Sequence, residues 1–513
     1  MRIHGLLPIV LALAACAPRA STAPLPGRTA PPPAAPTAQV PGGASAADAD
    51  RLPGWLDAVV DGPLERAHWG IAVYDLTGDR WVARHAADRY FVPASNLKLV
   101  VSATAMERLG PDYRWRTSVY ATAPLAPDGT LEGDLVLYGR GDPNLSGRHF
   151  DSMTFVFQAL ADSLAARGLT RVSGDLLADE SLWDADHVRR DWAGYDLLWW
   201  YAAPVGALGF NDNAIDFAVQ PASRVGAPPL VEGDPSSAFW TLENGATTGP
   251  PGAPHTFDLT RIPGTNRVIA YGVLPLDTPP RTEYFAVVDP AGWAGTIFRE
   301  VLAARGIEVH GGVRTVSDPA ASPVAAGDTV ALAAWESPTL TRVVESINGR
   351  SQNWHAEQVL KTLGAEARGE GSWAAGLAVE RATLAALGVD TTGFLLRDAS
   401  GLSSANLVTP EGLVALLRAA RAEPWAEAWL ASLPVAAESG SLRRRFANTV
   451  GAGRVHAKTG YIENVYSLSG YLETMTGREY AFSVIVNQTG PGSSGATETI
   501  DRLVNALISG AAP

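Results

Sequence analysis

Strand-like segments lie near both ends of the folded part of this 513-residue chain, and their placement limits the possible folds more than any other feature. Residues 70–76 and 80–84 predict two strands joined by a Thr-Gly-Asp turn. Near the C-terminus, the alternation in 465–472 and the mostly apolar stretch 480–486 predict two more strands, while 500–508 repeat apolar residues at helical spacing. We therefore expect an α+β fold in which an antiparallel sheet is flanked by helices.

The middle of the chain has a different pattern, in which short apolar runs are broken by Gly, Pro and Asp turns. The strand-like and helix-like pieces that stand out are 135–138, 285–288, 155–167 and 293–305. This pattern indicates one or two inserted subdomains over 113–330. The main domain would then be discontinuous and formed by 52–112 and 331–513.

The N-terminus predicts export. A positive start and a short apolar run precede Cys16, which is the single cysteine of the chain, and the run is too short to span a bilayer. Residues 13–16 (Leu-Ala-Ala-Cys) resemble a bacterial lipobox, so 1–16 are interpreted as a lipoprotein signal peptide with lipidation of Cys16. Residues 17–51, rich in Pro and Ala, would form a tether. The alternative is an ordinary signal peptide that is cleaved later and discards Cys16.

Lysine is almost absent, since only three of the 40 basic residues are lysines: Lys98, Lys361 and Lys458. Arginine supplies charge equally well but cannot lose its proton, whereas lysine can. Ser95 precedes Lys98 by three positions in a segment of helical pattern, so the amine can reach the hydroxyl. A serine becomes a good nucleophile when such a base removes its proton. The alternative is that Ser95 only caps the helix.

Lys458 begins the triplet Lys-Thr-Gly, which precedes an alternating, strand-like stretch. A Ser-x-Asn triplet completes the set, and it is ambiguous because both 346–348 and 351–353 fit. We favour Ser351 and Asn353, because the helical pattern that follows would hold them in place. The sequence assigns no function to Lys361.

Other chemistries find little support. The net charge of −13 argues against nucleic-acid binding, because such proteins need cations to neutralise phosphates. The sequence contains neither His-Glu-x-x-His nor Gly-x-Ser-x-Gly, so no metal, no cofactor and no α/β-hydrolase nucleophile are predicted.

The order Ser-x-x-Lys, Ser-x-Asn and Lys-Thr-Gly is typical of penicillin-binding proteins and class A β-lactamases. Together the segments 92–99, 347–353, 398–403 and 457–460 resemble the class C, type-4 penicillin-binding proteins, a D-Ala-D-Ala carboxypeptidase/endopeptidase family. The likeness covers about 55–510. It implies the penicillin-binding/β-lactamase-like serine transpeptidase fold, with an all-α cluster and a large β-rich insertion.

The resemblance also implies roles for individual residues. Ser95 would attack the carbonyl of the penultimate D-Ala while Lys98 takes its proton, and the amides of Ser95 and Tyr461 would form an oxyanion hole. Ser351 would relay a proton to the leaving amine, and Asn353 would hold the peptide amide. Lys458 would orient Ser351 and, with Thr459 and Gly460, bind the substrate. Tyr461 stands where the family usually has a small hydroxyl residue, which puts the carboxylate contacts in doubt.

The implied partners are peptidoglycan stem peptides, β-lactams as covalent inhibitors and a membrane reached through the N-terminal lipid, with no nucleic acid. The implied location is the periplasm, at the outer membrane. Two alternatives stay open at this point, namely a β-lactamase-like hydrolase and a catalytically weak cell-wall-binding lipoprotein. The sequence does not choose between carboxypeptidase and endopeptidase activity.

Overall fold

The computed structural model describes residues 62–490 and 495–510. The predicted signal peptide, Cys16 and the tether lie outside the described residues. In chain order the strands are β1 His68–Asp75, β2 Arg80–His85, β3 Arg116–Ala121, β4 Thr130–Leu131, β5 Leu135–Tyr138, β6 Arg171–Val172, β7 Leu176–Asp179, β8 Ala214–Gln220, β9 Leu230–Asp234, β10 Thr241–Asn244, β11 Thr247–Gly249, β12 Asp258–Arg261, β13 Arg267–Tyr271, β14 Val273–Pro275, β15 Arg281–Ala286, β16 Glu308–Val309, β17 Val313–Val316, β18 Val330–Glu336, β19 Phe394–Leu395, β20 Leu407–Val408, β21 Val455–Ile462, β22 Val465–Glu473 and β23 Glu479–Asn487. The helices are α1 Lys98–Arg108, α2 Phe155–Ala166, α3 Pro290–Ala304, α4 Pro323–Ala326, α5 Leu340–Gly349, α6 Asn353–Arg368, α7 Trp373–Ala386, α8 Pro410–Arg421, α9 Ala426–Leu430 and α10 Gly495–Ser509.

One antiparallel sheet joins the two ends of the described chain, in the order β2-β1-β23-β22-β21. Alternate side chains point to opposite faces of a strand. Accordingly Val73 and Phe482 share a core with Ile500 of α10, whereas Ala72 and Ile485 share the core that contains α8. The predicted α+β fold, with a sheet flanked by helices, is confirmed.

A helical cluster packs beside this sheet. Helix α1 contacts α5, α6 and α7, and α6 and α7 pack along each other. The apolar positions Leu99, Val100, Ala103 and Met106 of α1 are buried, as their spacing of three and four residues predicts. This packing brings the N-terminal ends of α1 and α6 close together, and both ends carry residues of the predicted motifs.

The middle of the chain has its own core. Strands β17, β7, β5, β3 and β18 form a five-stranded mixed sheet, against which α2 and α3 pack. Smaller two- and three-stranded sheets account for the other strands of this region. The predicted boundaries at 112 and 331 stay a prediction. Within the described ranges, no helix combines the length and the apolar character that crossing a bilayer requires.

Candidate active site

Ser95 and Lys98 lie where a 3-10 turn, Ala94–Leu97, leads into α1. The predicted continuous helix from Ser95 is therefore a 3-10 turn that passes into an α-helix at Lys98. Pro93, not Ser95, occupies the N-cap position of this turn. The alternative in which Ser95 only caps the helix is therefore wrong. Lys98 Nζ lies 2.8 Å from Ser95 Oγ, which is the contact that the spacing of three predicts.

Lys98 is fully buried, and its amine contacts three oxygen atoms. Besides Ser95 Oγ these are Asn353 Oδ1 at 2.6 Å and the carbonyl oxygen of Ser400 at 2.6 Å. Burial lowers the pKa of Lys98 to about 7, because removal from water penalises the charged ammonium, and the carboxylates of Asp398 and Glu357 oppose that shift. A substantial share of the amine is therefore uncharged at neutral pH and can accept a proton.

The structure distinguishes between the two candidate Ser-x-Asn triplets, 346–348 and 351–353. Ser351 lies between α5 and α6 with φ of 62°, in the left-handed region, and Asn353 is the first residue of α6. Asn353 Nδ2 donates to the Tyr201 carbonyl oxygen at 2.8 Å, which turns its Oδ1 toward Lys98. Ser346 and Asn348 lie within α5, where the Asn348 amide binds buried hydroxyls instead.

Lys458 approaches Ser351 from β21. Its Nζ donates to Ser351 Oγ at 2.9 Å and to the Thr459 carbonyl oxygen at 2.8 Å. Burial and the neighbouring Lys98 hold the pKa of Lys458 well below its usual range. Two amines and two serine hydroxyls from distant parts of the chain thus converge.

Gly460 lets β21 lie against the Ser95 turn. A Cβ atom at this position would come within 2.1 Å of Ser467 Oγ, 2.9 Å of the Pro93 carbonyl oxygen and 3.1 Å of the Ser95 amide nitrogen. Any larger residue would push the strand away from the backbone of Ser95. Asn96 also connects the Ser95 turn to the sheet, because its amide group bridges the Lys458 carbonyl and the Ser469 hydroxyl, each at 2.7 Å.

Thr459 and Tyr461 flank this glycine at the edge of the site. The Tyr461 side chain is 64% exposed, and its ring lies 5.0 Å from that of Tyr466. Thr459 Oγ1 donates to Ser441 Oγ at 2.7 Å. Ser441 places a hydroxyl beside the Lys-Thr-Gly segment, although Tyr461 does not provide the small hydroxyl residue that usually follows it.

Sequence reasoning missed several residues that hold the site. Segment 398–403 belongs to the family resemblance, but Ser400 binds Lys98 through its backbone carbonyl, which no side-chain pattern reveals. Glu357 is one helical turn beyond Asn353 on α6, and this spacing is the only signal that could have found it. Tyr201 acts through its carbonyl oxygen and comes from the middle region of the chain.

Lys361, the third lysine, is two turns beyond Asn353 on α6 and is also fully buried. Its Nζ donates to Asp184 Oδ1 at 2.7 Å and to the Asp186 carbonyl oxygen at 2.6 Å, and it lies 4.0 Å from the centre of the Trp373 ring. Its hydrogen-bond partners come from the middle region of the chain, and Trp373 lies on α7. Lys361 therefore attaches that region to α6 and contacts none of the motif residues.

A cavity of about 740 Å³ adjoins the site at Gln352, between Ser351 and Asn353. Its lining includes Arg148, Trp200, Asp216 and Tyr284 from the middle region. Across the residues that the structure describes, no three His, Cys, Asp or Glu side chains are grouped so that they could hold a metal ion.

Comparison with known proteins identifies the fold and the family. The family model of the D-Ala-D-Ala carboxypeptidase 3 (S13) family matches residues 55–507. The chain belongs to this family. S13 proteins are serine peptidases, and this member is a serine-type D-Ala-D-Ala carboxypeptidase.

One relative and two solved structures show the extent of the likeness. The D-alanyl-D-alanine carboxypeptidase of Actinomadura sp. (strain R39) is 38% identical over 459 residues, which cover 87% of this chain and 82% of the relative. The crystal structure of penicillin-binding protein 4 from Haemophilus influenzae matches with a TM-score of 0.78 and 21% identity, over 89% of this chain and 99% of that one. A second structure of that protein, in complex with a β-lactam, has a TM-score of 0.72, 20% identity and the same coverage. The predicted family is confirmed, and both structures share its fold.

Proposed function

We propose that this S13 carboxypeptidase hydrolyses the stem peptides of peptidoglycan through an acyl-enzyme on Ser95 and that β-lactams acylate the same residue. One observation carries the proposal: Ser95 Oγ lies 2.8 Å from the amine of Lys98, whose pKa is lowered to about 7 by burial. A hydroxyl next to an amine that is partly uncharged at neutral pH is the arrangement that nucleophilic catalysis by serine requires.

The first half-reaction forms the acyl-enzyme. Lys98 Nζ takes the proton of Ser95 Oγ as this oxygen bonds to the carbonyl carbon of the penultimate D-Ala. The bond from this carbon to the nitrogen of the last residue then breaks, and the leaving nitrogen receives a proton through Ser351, which Lys458 holds at 2.9 Å. The proton that Lys98 took replaces the one that Ser351 gives up, so Lys98 is neutral again. In the second half-reaction Lys98 takes a proton from water as the water oxygen attacks the ester carbonyl, and Ser95 Oγ receives this proton as the shortened peptide leaves.

The negative oxygen of the intermediate needs hydrogen-bond donors. The amides of Ser95 and Tyr461 are proposed for this role, and the missing side chain of Gly460 is what allows the two backbone segments to lie close together. A donor of this kind contributes about 10²- to 10³-fold in rate. Because only its amide is used, the Tyr461 side chain does not affect this role.

The carboxylate of the substrate meets Lys458, Thr459 and Ser441 in this proposal. Thr459 and Ser441 already share a hydrogen bond of 2.7 Å, and both line a pocket that also contains Arg445. Two adjacent hydroxyls can both donate to one carboxylate once a ligand replaces their mutual contact. Ser441 thus supplies a hydroxyl that Tyr461 does not.

We propose in addition that the protein has endopeptidase activity on cross-linked peptides. The 740 Å³ cavity beside Gln352 supports it, since its volume accommodates peptide atoms beyond the terminal D-Ala-D-Ala. The direct experiment incubates the protein with purified monomeric and cross-linked muropeptides and follows the products by mass. Loss of one alanine from monomers and splitting of dimers are expected. If neither mass change occurs, the proposed substrate is wrong.

The acylation rate should depend on pH through Lys98. Only the uncharged amine can accept a proton, and its pKa is about 7, so the rate should be high above pH 7. Below pH 7 it should fall about tenfold for each further pH unit, because the amine becomes protonated. Single-turnover acylation by a fluorescent penicillin between pH 5 and 9 measures this. A rate that stays constant across that range would contradict the assignment of Lys98 as the base.

We also propose that the protein is exported and anchored to the outer membrane through a lipid on Cys16. This rests on the short apolar run and the lipobox-like segment that ends at Cys16. Mass analysis of the N-terminal peptide from cells tests it. A free N-terminus beyond Cys16 would refute the anchor.

A further inference from the structure

We propose that Glu357 is a positioning residue for the acylation step, because it holds the Ser400 carbonyl against the amine of Lys98 and thereby directs the lone pair of this amine at Ser95. The inference rests on the proposed function, since it concerns how the proposed base is set. Glu357 is a fully buried carboxylate that takes no part in the proton transfers of the proposed mechanism.

The amine of Lys98 has a limited number of hydrogen-bond donors. A neutral amine has two N–H groups and one lone pair. Asn353 Oδ1 and the Ser400 carbonyl oxygen, each 2.6 Å away, can only accept hydrogen bonds and therefore occupy the two N–H groups. The lone pair is left for the remaining neighbour, Ser95 Oγ, whose proton it must take. The direction of the lone pair thus depends on both acceptors staying in place.

Both acceptors of Lys98 are fixed by further hydrogen bonds. Asn353 is held by the Tyr201 carbonyl. Ser400 is held by Glu357, whose Oε1 accepts from the amides of Ala399 at 3.1 Å and Ser400 at 2.8 Å. Since Asn353 and Glu357 are four residues apart on α6, one helix positions both acceptors of Lys98.

Glu357 itself is held in place by its contacts. It is fully buried, and its Oε2 also accepts from Trp373 Nε1 at 2.8 Å. The amides of Ala399 and Ser400, the indole of Trp373 and the Ser400 hydroxyl all donate to this carboxylate, and such contacts favour the ionised state. Burial and the nearby Asp398 act in the opposite direction and raise the pKa of Glu357.

Within the described part of the chain, three other ionisable groups interact electrostatically with this carboxylate. Lys98 approaches from α1, Asp398 from the loop that contains Ser400, and Glu380 from α7. Asp398 is held by its own loop, through the amides of Gly401 and Ser403. Glu380 is buried and has no hydrogen-bond partner among the described residues, and burial with two neighbouring carboxylates holds its pKa well above the usual range.

The test compares Glu357→Gln and Glu357→Asp with the matched control Glu380→Gln. Gln keeps the size of Glu357 but brings an NH₂ group against the N–H donors and removes the charge. Asp keeps the charge but is shorter by one methylene. Glu380 belongs to the same carboxylate cluster but has no hydrogen bond to the Ser400 loop among the described residues, so its variant should acylate as the wild type does.

For Glu357→Gln we expect the maximal rate of acylation by fluorescent penicillin to fall about 10- to 100-fold, while KM for D-Ala release changes less than about threefold. The fall in rate on the acid side should move to lower pH, because a charge that stabilises protonated Lys98 is gone. Glu357→Asp should also lower the maximal rate, but the pH at which the rate falls should shift less, because the charge is kept. Thermal unfolding of each variant verifies that it is folded.

The proposal would be overturned if folded Glu357→Gln kept the wild-type maximal rate and its rate fell at the same acidic pH as that of the wild type. An equal loss in Glu380→Gln would also overturn it, since the effect would then belong to the cluster and not to the Ser400 loop. If Glu357→Gln does not fold, Glu357→Asp decides, and a wild-type rate refutes the role. Failure of the proposed function is distinguishable, because then Ser95→Ala would keep its activity.

Discussion

Replacing Ser95 with alanine is expected to reduce the release of D-Ala by about 10⁴-fold or more and to abolish covalent labelling by fluorescent penicillin. The substitution removes a single heavy atom, the Ser95 Oγ, and this is the atom that must bond to the substrate. Loss of a nucleophile leaves only the contribution of the oxyanion donors and of substrate binding. D-Ala release and gel fluorescence after brief incubation give the two readouts.

Ser163→Ala provides the control for that experiment. Ser163 lies on α2, is exposed, and its hydroxyl donates only to the Ala159 carbonyl of its own helix. The variant should label and turn over as the wild type does. Undiminished labelling of Ser95→Ala would rule out Ser95 as the nucleophile.

Replacing Lys98 with methionine should lower the acylation rate by about 10²- to 10⁴-fold. Methionine fills a similar volume, but its thioether cannot take the Ser95 proton. It also leaves Asn353 Oδ1 and the Ser400 carbonyl without their donor, so some loss of stability should accompany the loss of rate. The residual rate should no longer change near pH 7, since the group that titrates there is absent.

Lys361→Met is the matched control, because Lys361 is likewise a fully buried lysine in contact with backbone carbonyls. It should lower the midpoint of thermal unfolding, since Asp184 loses its partner, and should leave the acylation rate close to that of the wild type. Acylation and unfolding of both variants are measured in parallel. A wild-type rate in Lys98→Met, or an equal loss in Lys361→Met, would contradict the base assignment.

The sequence predicted those features that depend on local pattern. Alternation and helical spacing placed four of the five strands of the main sheet and the buried face of α1, and the scarcity of lysine drew attention to Lys98 and Lys458. The fifth strand, β21, was not predicted. The contact between Ser95 and Lys98 followed from their spacing alone. The predicted division into a discontinuous domain and an insertion stays a prediction.

The rest of the site could not be predicted because it depends on backbone groups and on distant packing. The Ser400 carbonyl reaches Lys98 across 302 positions of sequence, and the Tyr201 carbonyl reaches Asn353 across 152. The 3-10 turn before α1 replaces the predicted regular helix, and Ala94 at its start has φ of 48°. Such conformations are set by the strand packed against them, here through Gly460.

The measurement that tests the central claim most directly is the location of the penicillin adduct on the protein. Trypsin cleaves after Arg89 and Lys98 and after Arg350 and Lys361, so Ser95 and Ser351 fall on separate peptides, 90–98 and 351–361. We predict one adduct per chain, on peptide 90–98 at Ser95. An adduct on Ser351 or elsewhere, with peptide 90–98 unmodified, would contradict the account.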